Sequence, residues 1–357
     1  MKEKVRNSNL ELYRIIVMLL IVAHHYVRHS GLVDLISYNP LDSRSLYLCV
    51  LGMWGKIGIN CFILITGYFM CQSHITLKKF TKLFLWIFFY NFVISFLFNI
   101  CGYSNLSLLD SIIILFPIKN ISNEFASCFL VFYLFIPFLN IIIKNMNRKQ
   151  HFHLIILCLF TYTLWAQLPY FEVKMNYAIW FCILYFISSF IRLYQIDENT
   201  TTKTWGIATL ITIILSIFSV FAILYQGKKD IDIIYYFVSD SNAILAIAVS
   251  VSSFMFFKKI NINHNKLINN VGASTFGVLL IHDNNIFMRK WLWKDTLDNV
   301  GHYDNIYIHS VICIFAVFSI CIILDQIRIY LFEKPLFKFL DNYLKNNNNK
   351  FFIFNWN

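Results

Sequence analysis

The sequence is poor in charge. Asp, Glu, Lys and Arg make up 14% of its 357 residues, against about a quarter in soluble domains, while 58% of residues are hydrophobic. No polar stretch is long enough for a separate soluble domain, and the apolar segments follow one another from end to end. Nine cysteines are scattered without a C-x-x-C pair, which argues against a disulfide framework or a zinc site and for buried free thiols. The N-terminal apolar stretch runs into His24, His25 and Arg28 without a small-residue cleavage site, so it reads as a span and not a removed signal peptide. The net charge of +11 raises nucleic-acid binding, but no basic helix or aromatic platform accompanies it, and the cations sit in short loops. Orientation in a membrane explains them better, and no nucleic-acid partner is expected.

What is present is a series of apolar runs. Aromatics reach 18%, with 37 phenylalanines, residues at home against lipid. The abundance of Phe, Ile, Asn and Lys suits an AT-rich genome and hints at a bacterial source. A bilayer core of roughly 30 Å needs about 20 helical residues. Ten spans are predicted: 9–28, 45–70, 83–101, 125–143, 152–168, 177–193, 206–225, 235–257, 271–288 and 305–330. The segment 106–116 is too short to cross and reads as interfacial or re-entrant. With the N-terminus inside, inner segments hold nineteen Lys and Arg and outer ones nine, with Arg14 and Lys56 inside spans. That bias puts both termini in the cytoplasm. The fold class expected is therefore all-α: a polytopic membrane bundle of about ten helices, a single embedded domain over 1–345 and a short tail over 346–357.

Ionisable side chains are costly inside a span and usually face the bundle interior or a wet cavity. Arg14 and His25 lie eleven positions apart on the first span, which returns them to one face, about 16 Å apart along the axis. Glu11 precedes Arg14 by three residues, the spacing of a helical ion pair. His25 and His29 are spaced like a zinc pair, but no third ligand accompanies them in sequence, and no metal is expected. The second predicted span carries Lys56, Asn60 and Thr66 among glycines, and ends in Tyr68. Close helix contact explains the glycines; Lys56 either snorkels outward or lines a cavity. Lys78, Lys79 and Lys82 form an inner basic cluster, which is either topogenic or a seat for phosphates. His282 lies in the outward half of the ninth predicted span, at a depth similar to His25.

At these residues the chain resembles the acyltransferase-3 family of bacterial membrane acyltransferases, which modify envelope polysaccharides. The family opens on an L-D-x-L-R motif followed by a histidine ten intervening residues later; L-E-L-Y-R and His25 repeat that pattern, with Glu11 for Asp and Tyr13 for Leu. Its S-G-Y/F element resembles I-T-G-Y, with Thr66 for Ser, and its basic pair, usually arginines, resembles Lys79 and Lys82. Its F-G-I-Y-L-x-H resembles F-G-V-L-L-I-H, ending at His282. Phe132–Asn140 and Leu184–Tyr194 are similar to the family's fourth and sixth spans. The likeness runs from Leu10 to about Lys338. Two departures stand out: Glu124 occupies the place of the usual tryptophan, and the lysines keep charge but lose bidentate phosphate geometry.

The resemblance implies transfer of an acetyl or other small acyl group from acyl-CoA to a hydroxyl of an envelope or lipid-linked glycan, at the bacterial inner membrane. Under it, Arg14 and Glu11 are expected to join the catalytic group, and Arg14 with Lys78, Lys79 and Lys82 is expected to bind the donor. His25 is the expected general base, with Lys56, Asn60, Tyr68 and His282 as substrate or oxyanion contacts. The rival class is a non-enzymatic transporter or flippase of a lipid-linked glycan. The absence of an internal repeat weighs against it, and a polymerase is disfavoured by the absence of a large outer loop.

Overall fold

A computed structural model of the chain describes residues 6–103, 108–119, 124–168, 171, 173–196 and 198–346. Lys2, Lys4, Lys350 and the predicted tail beyond Asn346 lie outside the described residues, as do 106–107 at the start of the predicted interfacial segment.

With no water to satisfy peptide groups in hydrocarbon, a chain of this composition closes its backbone hydrogen bonds within helices. The described residues are helical throughout, with no strand among them. In order they form α1 (Ser8–Arg28), α2 (Leu32–Tyr38), α3 (Ser43–Gly52), α4 (Gly55–Met70), α5 (Leu77–Ile100), α6 (Leu108–Leu115), α7 (Phe125–Asn145), α8 (Arg148–Leu159), α9 (Tyr177–Tyr194) and α10 (Thr202–Tyr225). Then follow α11 (Ile231–Ile234), α12 (Ile244–Lys259), α13 (Lys266–His282), α14 (Ile286–Lys290), α15 (Ile306–Arg328) and α16 (Lys334–Asn346). Seven helical stretches are long and apolar enough to cross a membrane, including α3 with α4 as one stretch of 28 residues.

The predicted spans need correction at several ends. The second is two helices, meeting at Met53–Trp54. The fifth starts at Arg148, behind an Asn147–Gln150 capping box, and finishes in a π turn over Phe160–Leu164. The eighth starts only at Ile244, because the polar stretch Ser239–Asn242 turns instead of continuing helix. The ninth stops at His282, with Asp283 as its C-cap. Arg328, counted above as an inner tail charge, is buried in the last turn of α15.

Cross-helix contacts show the rods running in alternating directions. At one end Asn9 of α1 donates to the carbonyls of Phe257 and Lys258 on α12, and Ser8 donates to Asn269 on α13. At the other end Tyr26 bonds His309 of α15, and Asn299 donates to the Tyr26 carbonyl. The helix α1 is the centre of the molecule, touching α3, α4, α12, α13 and α15. Small residues make this closeness feasible, as expected where helices associate in lipid. A Cβ on Gly58 would stand 2.6 Å from Ile21, and one on Gly272 would stand 2.5 Å from a Glu11 carboxylate oxygen. By contrast, α10 is peripheral: Leu210, Ile214 and Phe218 are exposed along it, an arrangement stable against lipid and not against water.

Candidate functional site

A cavity of about 290 Å³ opens beside the C-terminal half of α1. Its wall combines His24, His25, Arg28 and His29 from α1 with Lys56 at the start of α4, Glu124 and Phe125 at the start of α7, and Asp283 and Arg289 after α13. All of these sit at one end of the bundle, where α1 and α13 finish and α4 and α7 begin. In the orientation expected from the charge bias of the sequence, that end faces outside.

The histidines are ordered by a chain of hydrogen bonds. Nδ1 of His282 lies 2.6 Å from the Val278 carbonyl, and a carbonyl only accepts, so Nδ1 carries the proton. In the neutral ring Nε2 is then the acceptor, and it lies 2.9 Å from Nδ1 of His25. His25 therefore donates from Nδ1, which leaves the lone pair on its Nε2. That atom lies 3.6 Å from Oδ2 of Asp283. The other carboxylate oxygen, Oδ1, accepts from Arg289 Nε at 2.6 Å and lies 3.4 Å from His29 Nε2. His25 thus has a fixed tautomer, with the lone pair of Nε2 beside the Asp283 carboxylate. The similar depth of His25 and His282 was legible in the sequence; that they meet was not. Asp283, His29 and Arg289 were not singled out as a group; the available signal was the H-D pair at the end of a span.

His25, His29 and Asp283 also bring three ligand atoms within 4.8 Å of one another, so a carboxylate does join the histidine pair that sequence left without a third ligand. Arg289, however, already places a positive charge on the shared carboxylate oxygen.

The other expected site residues divide into three groups. Lys56 reaches the cavity and donates to the Tyr177 hydroxyl at 2.6 Å. Asn60 does not line it. Its amide donates to the Ser241 carbonyl at 2.6 Å and accepts from Trp180 Nε1 at 2.9 Å, so both ends hold the fold. Tyr68 lies toward the opposite end of α4, where it accepts from Arg192 at 2.7 Å. Arg14 is also near that end, one turn short of Met18 on the cavity wall. It donates to Glu11 at 3.2 Å, and Glu11 accepts from Arg6 at the same distance. Arg14 and His25 thus share a helix face but not a cavity, and Met18, Phe62 and Phe276 line the cavity's inner part.

The lysine cluster is engaged. Lys78 donates to Asp341 at 2.6 Å, Lys79 to the His74 carbonyl at 2.8 Å, and Lys82 pairs with Glu333 at 2.5 Å. Glu333 also takes Arg328, whose Nε donates to the fully buried Asp325 at 2.9 Å. Trp86 and Tyr90 of α5 donate to the same Asp325 oxygen. This inner network was missed from sequence, because Asp325 and Arg328 lie at the end of an apolar run and look like its cytoplasmic boundary.

The fold and cavity together define a class: an all-helical membrane bundle with a cluster of histidines and charged groups around a cavity at one end. The comparison with known families narrows it. The acyltransferase-3 family model, an acyltransferase domain, matches residues 7–325, and the chain belongs to that family. It is a multi-pass membrane acyltransferase. No curated protein and no solved structure matches the chain.

Proposed function

We propose that this protein transfers an acetyl, or other small acyl, group from acyl-CoA to a hydroxyl of an envelope or lipid-linked glycan across the bacterial inner membrane. In this reading the ten predicted spans cross the bilayer and both termini are cytoplasmic. The observation that carries it is the unprotonated Nε2 of His25, on the wall of the cavity at the outer end and held in that tautomer by His282. Family membership favours transfer over mere transport.

His25 Nε2 takes the proton of the acceptor hydroxyl as its oxygen attacks the thioester carbonyl. The new C–O bond forms, the C–S bond breaks, and the departing CoA thiolate recovers the proton from His25. Asp283 stabilises the transient imidazolium, and the Lys56 ammonium on the cavity wall is a candidate for the developing oxyanion. Asn60 is a poorer candidate, since its amide is committed to Ser241 and Trp180.

The donor side is the inner end, where CoA is available. Arg14, about 16 Å of helix from His25, suits a CoA phosphate. Lys78 and Lys82 would join it by exchanging Asp341 and Glu333 for phosphate. An acyl-pantetheine arm then reaches His25 past Met18, Phe62 and Phe276.

The test is acetyl-CoA titration into the purified protein by calorimetry, for the wild type and for Arg14→Ala, alongside CoA release by wild type and His25→Ala. Saturable binding weakened by Arg14→Ala, with transfer abolished by His25→Ala, supports the reading. No binding by a monodisperse sample, or full activity without His25, overturns it.

A further inference from the structure

Beside the central cavity lies a second one of about 440 Å³, within the range of small-molecule sites. Three residues, Arg28, Lys56 and Ser239, line both, so the two spaces are adjoining compartments at the same end of the bundle. The floor is the polar stretch between α10 and α12, the segment that departs from the predicted span. Resting on the acyl-transfer reading above, we propose that this side cavity binds an uncharged sugar ring of the acceptor, the neighbour of the ring whose hydroxyl meets His25.

Charge selects the ligand class. The charged lining consists of two cations, Arg28 and Lys56, and two anions, Asp232 and Asp240. Such a balance offers no net attraction to a phosphate or uronate, which needs a positive potential. It suits a ligand whose groups both donate and accept, and a sugar hydroxyl does both. Arg28 pairs its Nη2 with Asp232 at 2.8 Å, which sets one cation and one anion of the wall against each other. Asp240, exposed at the cavity, supplies a carboxylate acceptor, and Tyr236 supplies an aromatic wall pinned by its hydroxyl on the Gln167 carbonyl at 2.6 Å. An acceptor spanning both compartments would be read one ring beyond the reacting one.

The experiment measures CoA release from acetyl-CoA by the full-length protein in detergent. The acceptors are uncharged monosaccharides, disaccharides built from them, and a uronate-containing disaccharide. Wild type should use an uncharged disaccharide with a KM about tenfold lower than its monosaccharide, and disfavour the uronate. Asp240→Ala, at an exposed position, should erode that preference toward equality. Ser239→Trp, which fills the passage between the compartments, should do the same. Equal KM values for monosaccharide and disaccharide, preference for the uronate, retention of the disaccharide preference in both variants, or acetyl-CoA binding without transfer to any uncharged acceptor overturns the assignment. Failure of acetyl-CoA to bind at all, read by calorimetry, instead strikes the acyl-transfer reading, and the sugar cavity falls with it.

Discussion

Replacing His282 tests the chain of protons that defines the base. In His282→Leu the Nδ1–H of His25 loses its only hydrogen-bond acceptor among the described residues, and the ring is free to move its proton to Nε2, where it cannot act as a base. Stranding a buried donor costs about 1–3 kcal/mol. At about 1.4 kcal/mol per factor of ten, kcat should fall roughly 5- to 150-fold, provided that chemistry limits the rate. In His282→Gln the side-chain carbonyl takes the place of Nε2 as acceptor, and kcat should stay within about fivefold of wild type. The assay is CoA release at saturating acetyl-CoA, with melting curves to confirm that both variants fold. Wild-type turnover in His282→Leu would refute the tautomer chain. Equal losses in the Leu and Gln variants would assign His282 to packing alone.

Asn60→Leu strands Trp180 Nε1 and the Ser241 carbonyl, each costing about 1–3 kcal/mol, so the melting midpoint in detergent should drop while the folded fraction keeps its kcat; a stable variant with lowered kcat would return Asn60 to the reaction centre. Asp325→Ala leaves Arg328 buried with only Glu333 to meet it, a loss of about 3–5 kcal/mol that should appear as aggregation or low yield on size exclusion; a monodisperse, fully stable variant would show the pair to be dispensable. Gly272→Ala places a Cβ 2.5 Å from Glu11, which must move and loosen its hold on Arg14. Acetyl-CoA affinity should then weaken as in Arg14→Ala, and an unchanged calorimetric Kd would separate Glu11 from donor binding. Cys101 is the one exposed cysteine of the nine, at the end of α5 that the charge bias places outside; a membrane-impermeant maleimide added to intact cells should label it, and labelling only after lysis would invert the topology.

Much of the molecule was readable in one dimension because the bilayer imposes a length and a polarity on each helix. Apolar runs of about 20 residues located the long helices, with ends off by up to nine positions, and the spacing of Arg14 and His25 placed both on one face of α1. The errors cluster where a polar side chain has a partner distant in sequence. Ser239–Asn242 was absorbed into a span since its residues are small and mildly polar, whereas the structure uses the Ser241 carbonyl and the Asn242 amide to tie down Asn60 and Tyr162. Arg328 looked like a topogenic charge, because nothing local shows that Trp86, Tyr90 and Glu333 converge on it and Asp325.

By itself, the sequence determined that this is a membrane bundle, which end of it carries the basic excess, and that His25 and His282 have similar depths. Those properties follow from hydropathy, helical periodicity and charge counting, which are local or additive along the chain. Only the tertiary structure decided that His282 holds the tautomer of His25 and that Asp283 and Arg289 complete the group. It also separated Asn60 and Arg14 from the cavity that holds His25. Hydrogen bonds of about 3 Å depend on which helices become neighbours and at what rotation, and that is settled by the joint packing of all the rods.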